Sequence, residues 1–514
     1  MLQEFPRELE EYRRQIEATA RAEGLDFYET IFEMIDFDQI NQIAAYGGFP
    51  TRYPHWRFGM EYERLRKTHT YGLGKIYEMV INNDPCYAYL LNDNEIVDQK
   101  LVMAHVYGHC DFFKNNIWFS KTNRKMMDEM ANHATRVHRH IEQQGHEPVE
   151  RFIDVCLSLE NLIDPYVPFM RRQPTQEEAT RERGRHMTDQ VEDRVVKFRA
   201  KPYMERFINP PEELTRERER ERAKLSEEKR AFPPQPDRDV LEFLLRWAPL
   251  EDWEADILSI IREEAYYFAP QGQTKIMNEG WASYWHSRLM TKYHVRDHEL
   301  VTYCDHHSGT MATSPGRLNP YKLGIELFRD IEERWNRGRF GKDFEECIDI
   351  EKRRDWDTGL NKGREKIFEV RRVHNDVTFI DEFLTPEFVD RYKLYHYRQD
   401  PSTGRMIAVN KNFDQIKQQM LFMLTNHMQP YIYVVDGNYV NRGELFLAHK
   451  HLGVDLEIKY ANECLRNLQH IWKRPVHLQA RIDDDMMLFT ADGDAVKQQK
   501  IKDDLPKPAH ANVA

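Results

Sequence analysis

Residues 92–113 read NDNEIVDQKLVMAHVYGHCDFF. On a 3.6-residue period, Val97, Leu101, Ala104 and Gly108 fall on one stripe, and Val102, His105, His109 and Phe112 on the next. The spacing therefore predicts an apolar helix with both histidines on one face. Two histidines four apart can aim their imidazoles at one metal ion. The spacing alone decides nothing: 22 histidines in 514 residues give about one such pair by chance, and the chain has a second, His294/His298 in KYHVRDHEL. Setting separates them. His105 and His109 lie among apolar residues beside Gly108, which admits a close neighbour, and read either as metal ligands or as satisfied core histidines. His294 and His298 are flanked by charge and read as a solvated helix end.

Around this stretch the pattern stays helical. Residues 121–166 give two helical patterns broken at Gln144-Gly145 and closed by Pro165. From about 171 to 239 the chain becomes charged and proline-rich, as in PPEELTRERERERAKLSEEKRAFPPQPDRD. Glu and Asp interleave with the Arg there, so an exposed charged insertion is expected rather than a basic binding arm. Helical patterns resume at about 240 and end near Gly341-Lys342. After about 353, short β-branched and aromatic runs (VTFI, YIYVV, VHLQARI) alternate with helical patterns at 413–427 and 460–472, which predicts a smaller C-terminal α/β domain over 353–491. Residues 492–514 read as a flexible tail. The expected fold class is α+β: a mainly helical domain over 1–170 and 240–350, followed by that smaller α/β domain.

Composition narrows the function classes. The chain is 40% apolar, 12% aromatic and 31% charged, enough apolar surface for two or three cores. Its net charge of −12 argues against nucleic acid and anionic lipid as partners. No run of eighteen apolar residues occurs and the first 27 residues are rich in acids, so no membrane segment or signal peptide is expected, and the cytoplasm is. The six cysteines are scattered without a CxxC pair, which fits free thiols in a reducing compartment.

A third ligand comes from NEGWASYWH, residues 278–286. This segment resembles the helix by which aminopeptidase N-like gluzincins supply a glutamate to zinc, which makes Glu279 a candidate ligand and the N-terminal domain gluzincin-like. The plainer reading is a glutamate stabilised near a helix start. His286 lies seven residues on, on the same face, as a further ligand or an orienting donor. The gluzincin pattern HExxH places its general base where this chain has Val106, in HVYGH, and valine takes no proton. Glu263 and Glu264 in IIREEAYYF are the nearest carboxylates by chain to supply the base, unless the site binds without hydrolysis. His307 and Tyr321, in and after YCDHHSGTM, are candidates to steady an oxyanion. The expected cofactor is a divalent metal, with zinc first.

The strings YGLGKIYEMVINNDPCYAYLL, KLVMAHVYGHCDFFKNN, ADILSIIREEAYYFAPQGQTKIMNEGWASYWH, LNPYKLG, HNDVTFIDEFLT and NYVNRGELFLAHKHLGVDL together resemble the SpoVR (stage V sporulation protein R) family. The resemblance covers nearly the whole chain apart from the charged insertion and the tail. It implies a cytoplasmic protein tied to spore cortex formation, or to stationary-phase and stress physiology in bacteria that do not sporulate. It also implies two functional partners, a PrkA-type serine protein kinase and a von Willebrand-like-domain protein. It fixes no reaction. An amide-bond hydrolase and a non-catalytic scaffold or regulator both remain open.

Overall fold

The computed structural model describes residues 5–70, 78–170, 209–228, 232–493 and 495–501. Its contacts divide the chain into two units, Met1–Glu150 with Tyr266–Met428, and Arg151–Ala265 with Gln429–Ala514.

In the first unit the predicted helix forms over Ile96–Asn115 (α2), and 16 of its 20 residues are buried. A helix enclosed on every side has no solvent stripe, so its polar groups need partners. Lys100 Nζ donates to Glu299 Oε2 at 2.5 Å and to the His294 carbonyl at 2.9 Å. Asp111 accepts from Trp281 Nε1 at 2.7 Å and from the Asp26 amide at 2.8 Å, with Arg371 Nη1 3.5 Å away. Left unpaired, such buried charges would cost several kcal/mol each.

The elements packed on α2 are α1 (Arg7–Ala22), α3 (Lys275–Leu289), α4 (Leu300–Thr310), α6 (Gly363–Val373) and a three-stranded sheet. In that sheet β1 (Thr30–Ile35) runs parallel to β3 (Cys86–Leu91), β2 (Glu78–Ile81) runs antiparallel to β3, and the order is β1-β3-β2. The helical reading of this half passed over these strands, because runs of four to six residues carry too little periodicity to be told from helix.

Two crossings are unusually close. A Cβ on Gly108 of α2 would sit 2.7 Å from the Ala282 Cα of α3. A Cβ on Gly280 of α3 would meet the backbone of Gly324 on α5 (Pro320–Arg337) and come within 2.9 Å of the Ile325 amide. Backbones therefore touch at both places. The N-terminus of α3 is capped from far along the chain: Asp376, the first residue of α7 (Asp376–Phe383), accepts from the Ile276 and Met277 amides at 2.8 and 2.9 Å. Burial pushes the Asp376 carboxyl up to about 7, with the two amide hydrogen bonds pulling the other way.

The run VTFI, expected as a strand, is part of α7. Asn375 caps that helix by accepting from the Thr378 amide at 3.0 Å, and Phe379, Ile380 and Phe383 bury their side chains in the first unit's core. Cap and burial override the β preference of Val377, Thr378 and Ile380. Residues 353–428 consequently belong with the helical unit, and the boundary expected near 353 lies at Met428.

The first unit also holds an antiparallel pair, β4 (His396–Gln399) and β5 (Met406–Asn410), and the second unit carries a five-stranded sheet of order β10-β9-β8-β7-β6. The strands are β6 (Tyr431–Tyr439), β7 (Glu444–Lys450), β8 (Val476–Ile482), β9 (Asp485–Asp492) and β10 (Ala495–Lys500). β7 and β8 are parallel, joined through helix Ile458–Trp472, and the other pairs are antiparallel. Residues 151–170 and 240–265, expected with the helical domain, fall in this unit: Phe152 packs on Trp253, and Phe243 stacks on Trp472 at 5.8 Å. Of the charged insertion, Pro211–Glu228 is a helix, while 171–208 and 229–231 lie outside the described residues. Residues 495–500 of the expected tail form β10, and 502–514 lie outside the described residues.

Gly280→Ala is expected to destabilise the protein by about 3 kcal/mol in chemical denaturation, because neither backbone at the crossing can retreat. Gly59→Ala, in a helix with open space around the added carbon, is expected to stabilise by about 0.5–1 kcal/mol. Equal effects would contradict the close crossing.

Candidate functional site

His105 and His109 leave one face of α2 and meet Glu279 from α3. His105 Nε2 and His109 Nε2 lie 3.6 and 3.5 Å from Glu279 Oε2, and the two imidazoles stand 4.5 Å apart at 87°. All three ligand atoms fall within 4.8 Å of one another, the one such cluster among the described residues. The nitrogen–oxygen separations are too long for good hydrogen bonds, and Glu279 Oε2 is buried without a hydrogen-bond partner. Bonds of about 2.0–2.2 Å to one tetrahedral ion place neighbouring ligand atoms about 3.3–3.6 Å apart, a range that includes both nitrogen–oxygen separations.

The far side of each imidazole is held. Asn278 Oδ1 accepts from His109 Nδ1 at 2.9 Å, which puts the proton on Nδ1 and turns the Nε2 lone pair toward Glu279. Burial, with the neighbouring His105, brings His109 down to about 4, so it is neutral near pH 7. His105 Nδ1 pairs with His286 Nδ1 at 2.8 Å, and His286 Nε2 with His307 Nδ1 at 3.0 Å. If His105 Nε2 is the unprotonated nitrogen, one donor order satisfies this chain: His105 to His286 to His307. His286 is thus an orienting partner placed outside the three-residue cluster, and burial holds it well below the ordinary imidazole range. Burial pushes the Glu279 carboxyl up, but the imidazoles of His105 and His109 and the Tyr321 hydroxyl outweigh it and keep it ionised.

A cavity of about 120 Å³ opens beside the cluster. His105, His286, His307 and Tyr321 line it, with Glu78 from β2 and the Asp98–His306 ion pair. Tyr321 stacks on His105 at 6.2 Å. Burial holds the Tyr321 phenol well above its ordinary range, so it is a donor at neutral pH. Val106, in the place of the HExxH glutamate, is fully buried in the core. Glu263 and Glu264 lie on the part of helix Asp252–Gln273 assigned to the second unit, and the cavity is lined without them.

The second HxxxH pair does not share a helix face. His294 ends a π-helical turn and His298 sits in a separate 3₁₀ turn; His294 is half-buried, 2.7 Å from the Thr19 hydroxyl, while His298 is exposed. Sequence reasoning missed Asn278, Glu78 and Asp98 as site residues, while His306, beside His307 in YCDHHSGTM, belongs to the polar group expected around the cleft. Asn278 had a signal, since it precedes the candidate glutamate in NEGWASYWH. Glu78 had none, because a strand residue 27 positions before His105 stands in no fixed spacing to it.

Comparison with known proteins bears on the whole chain. A family model described as SpoVR like protein matches residues 3–429, and one described as SpoVR-like C-terminal domain matches residues 430–483. The junction between them falls at the boundary of the two units. A curated protein described as Uncharacterized protein YcgB, from Escherichia coli (strain K12), is 29% identical over 507 residues, covering 93% of this chain and 92% of its own. No solved structure matches. No helix among the described residues is long and apolar enough to cross a membrane. With both models together spanning nearly its full length, the chain belongs to the SpoVR family.

Proposed function

We propose that His105, His109 and Glu279 hold one divalent metal ion, with zinc the best fit to two imidazoles and a carboxylate, and that the protein is a metal-dependent hydrolase-like enzyme acting on an amide bond. The observation that carries this reading is the buried, unpartnered Glu279 Oε2 at 3.5 and 3.6 Å from two imidazole nitrogens. A structural glutamate would be expected to close those gaps to hydrogen bonds. A metal bound there supplies Lewis-acid polarisation of a carbonyl oxygen. The chain's own part is positional. Asn278 and His286 fix the imidazole orientations, Tyr321 stacks on His105, and His307 ends the imidazole chain half-exposed at the cavity. The proton acceptor has to be a residue other than the one at position 106, because Val106 occupies the gluzincin base position. The family name supports a setting in sporulation or in stationary-phase and stress physiology.

Val106 also favours a second reading, in which the centre binds without turnover and the protein is a regulator or scaffold for a PrkA-type serine protein kinase, with a von Willebrand-like-domain protein as a further partner. Co-purification with that kinase, lost on deleting residues 171–239, would support it.

Metal analysis of the purified protein separates the centre from a structural polar cluster. About one equivalent per chain is expected in the wild type and none in His105→Ala or Glu279→Ala with helical content preserved; a metal-free wild type would refute it. Asn278→Ala removes no ligand and is expected to weaken metal affinity about 10- to 100-fold in competition with a chelator. Unchanged affinity would mean that the Asn278 hydrogen bond does not orient His109.

A further inference from the structure

The cavity beside the three-residue cluster has a lopsided charge. Among its described lining residues are two carboxylates and four histidines, and no lysine or arginine. Asp98 is already paired with His306. Glu78 is not: it is half-buried on edge strand β2, and no hydrogen bond or ion pair reaches its carboxylate among the described residues. Burial pushes the Glu78 carboxyl up; His105 opposes this, and the charge of Glu279 adds to it. The lining offers an anionic ligand no lysine or arginine and presents Glu78 as a carboxylate without a partner among the described residues. A cation would offset the desolvation of Glu78.

Resting on the reading of His105, His109 and Glu279 as a metal centre, we infer that Glu78 anchors the ammonium group of the substrate. The amide acted on would then carry a free primary amine close to its carbonyl. The cavity's 120 Å³ has room for a group of that size rather than for a long acyl chain. The ammonium donates to the Glu78 carboxylate, a charge-assisted hydrogen bond. The carbonyl then lies toward the cluster, with Tyr321 alongside. No bond is made or broken in this step; it is recognition alone.

Two small probes test it on the full-length, zinc-loaded protein. Glycine hydroxamate and acetohydroxamate share the metal-binding hydroxamate and differ by one ammonium group. In calorimetric titration the wild type is expected to bind glycine hydroxamate about tenfold more tightly or better. Glu78→Gln, nearly the same shape, is expected to keep one zinc per chain and to bind the two probes equally. Equal affinities in the wild type, a comparison that requires no variant, would overturn the inference, as would a preference that survives in Glu78→Gln. A second zinc equivalent in the wild type that disappears in Glu78→Gln would also overturn it, assigning the pocket to a second metal ion. A wild type that holds no zinc removes the metal centre itself and the inference with it. Zinc held on His105, His109 and Glu279 with no preference between the probes removes only the inference.

Discussion

Two helix crossings, Gly108 on Ala282 and Gly280 on Gly324, hold α3 at backbone distance from both α2 and α5. Side chains normally keep helix axes 8–10 Å apart, and glycine allows closer approach. That approach lets a side chain as short as glutamate reach two imidazoles on the facing helix, and lets Asn278 reach the back of His109 in the same turn. It also leaves Tyr321, at the start of α5, beside Glu279. The geometry of the cluster follows from how closely these backbones pass, since His105 and His109 meet Glu279 across the same pair of helices that touch at Gly108 and Ala282.

Close approach has an electrostatic cost, because it encloses polar groups. Lys100, Asp111 and Asp376 are all buried near these helices, and each has partners drawn from a different segment of the chain. Removing one partner would leave a buried charge unsatisfied, which costs far more than the pair contributes. These pairs therefore act as alignment pins: they tolerate one arrangement of α2, α3 and α7 and penalise slippage of any of them. Glu279 Oε2, buried between two imidazoles, and Glu78, which lines the cavity, are exceptions to this pattern of satisfaction.

Much of the site could be read in the residues themselves. The apolar helix around His105 and His109, and the paired small residues of NEGWASYWH, already indicated two helices in close contact. The α+β class and the strands YIYVV and VHLQARI were equally visible, because their alternation is sustained. What could not be read was long-range. VTFI looks like a strand by composition, and only the Asn375 cap and the core it enters make it helix. The unit boundary at Met428 depends on which core Phe379 and Phe388 fill, and no local pattern reports that. Glu78 enters the cavity because β2 pairs with β3 in one register, a fact of pairing rather than of spacing.

The capping of α3 by Asp376 has a consequence for how the protein is made. About 170 residues separate His109 from Glu279, and the cap that fixes the start of α3 comes about 100 residues later still. At typical rates of synthesis, roughly ten to thirty seconds pass on the ribosome between emergence of the histidines and of the glutamate. Through that interval His105 and His109 wait without the glutamate that faces them in the folded molecule. The cluster is thereby assembled late, once α3 and the segment that caps it have both been made.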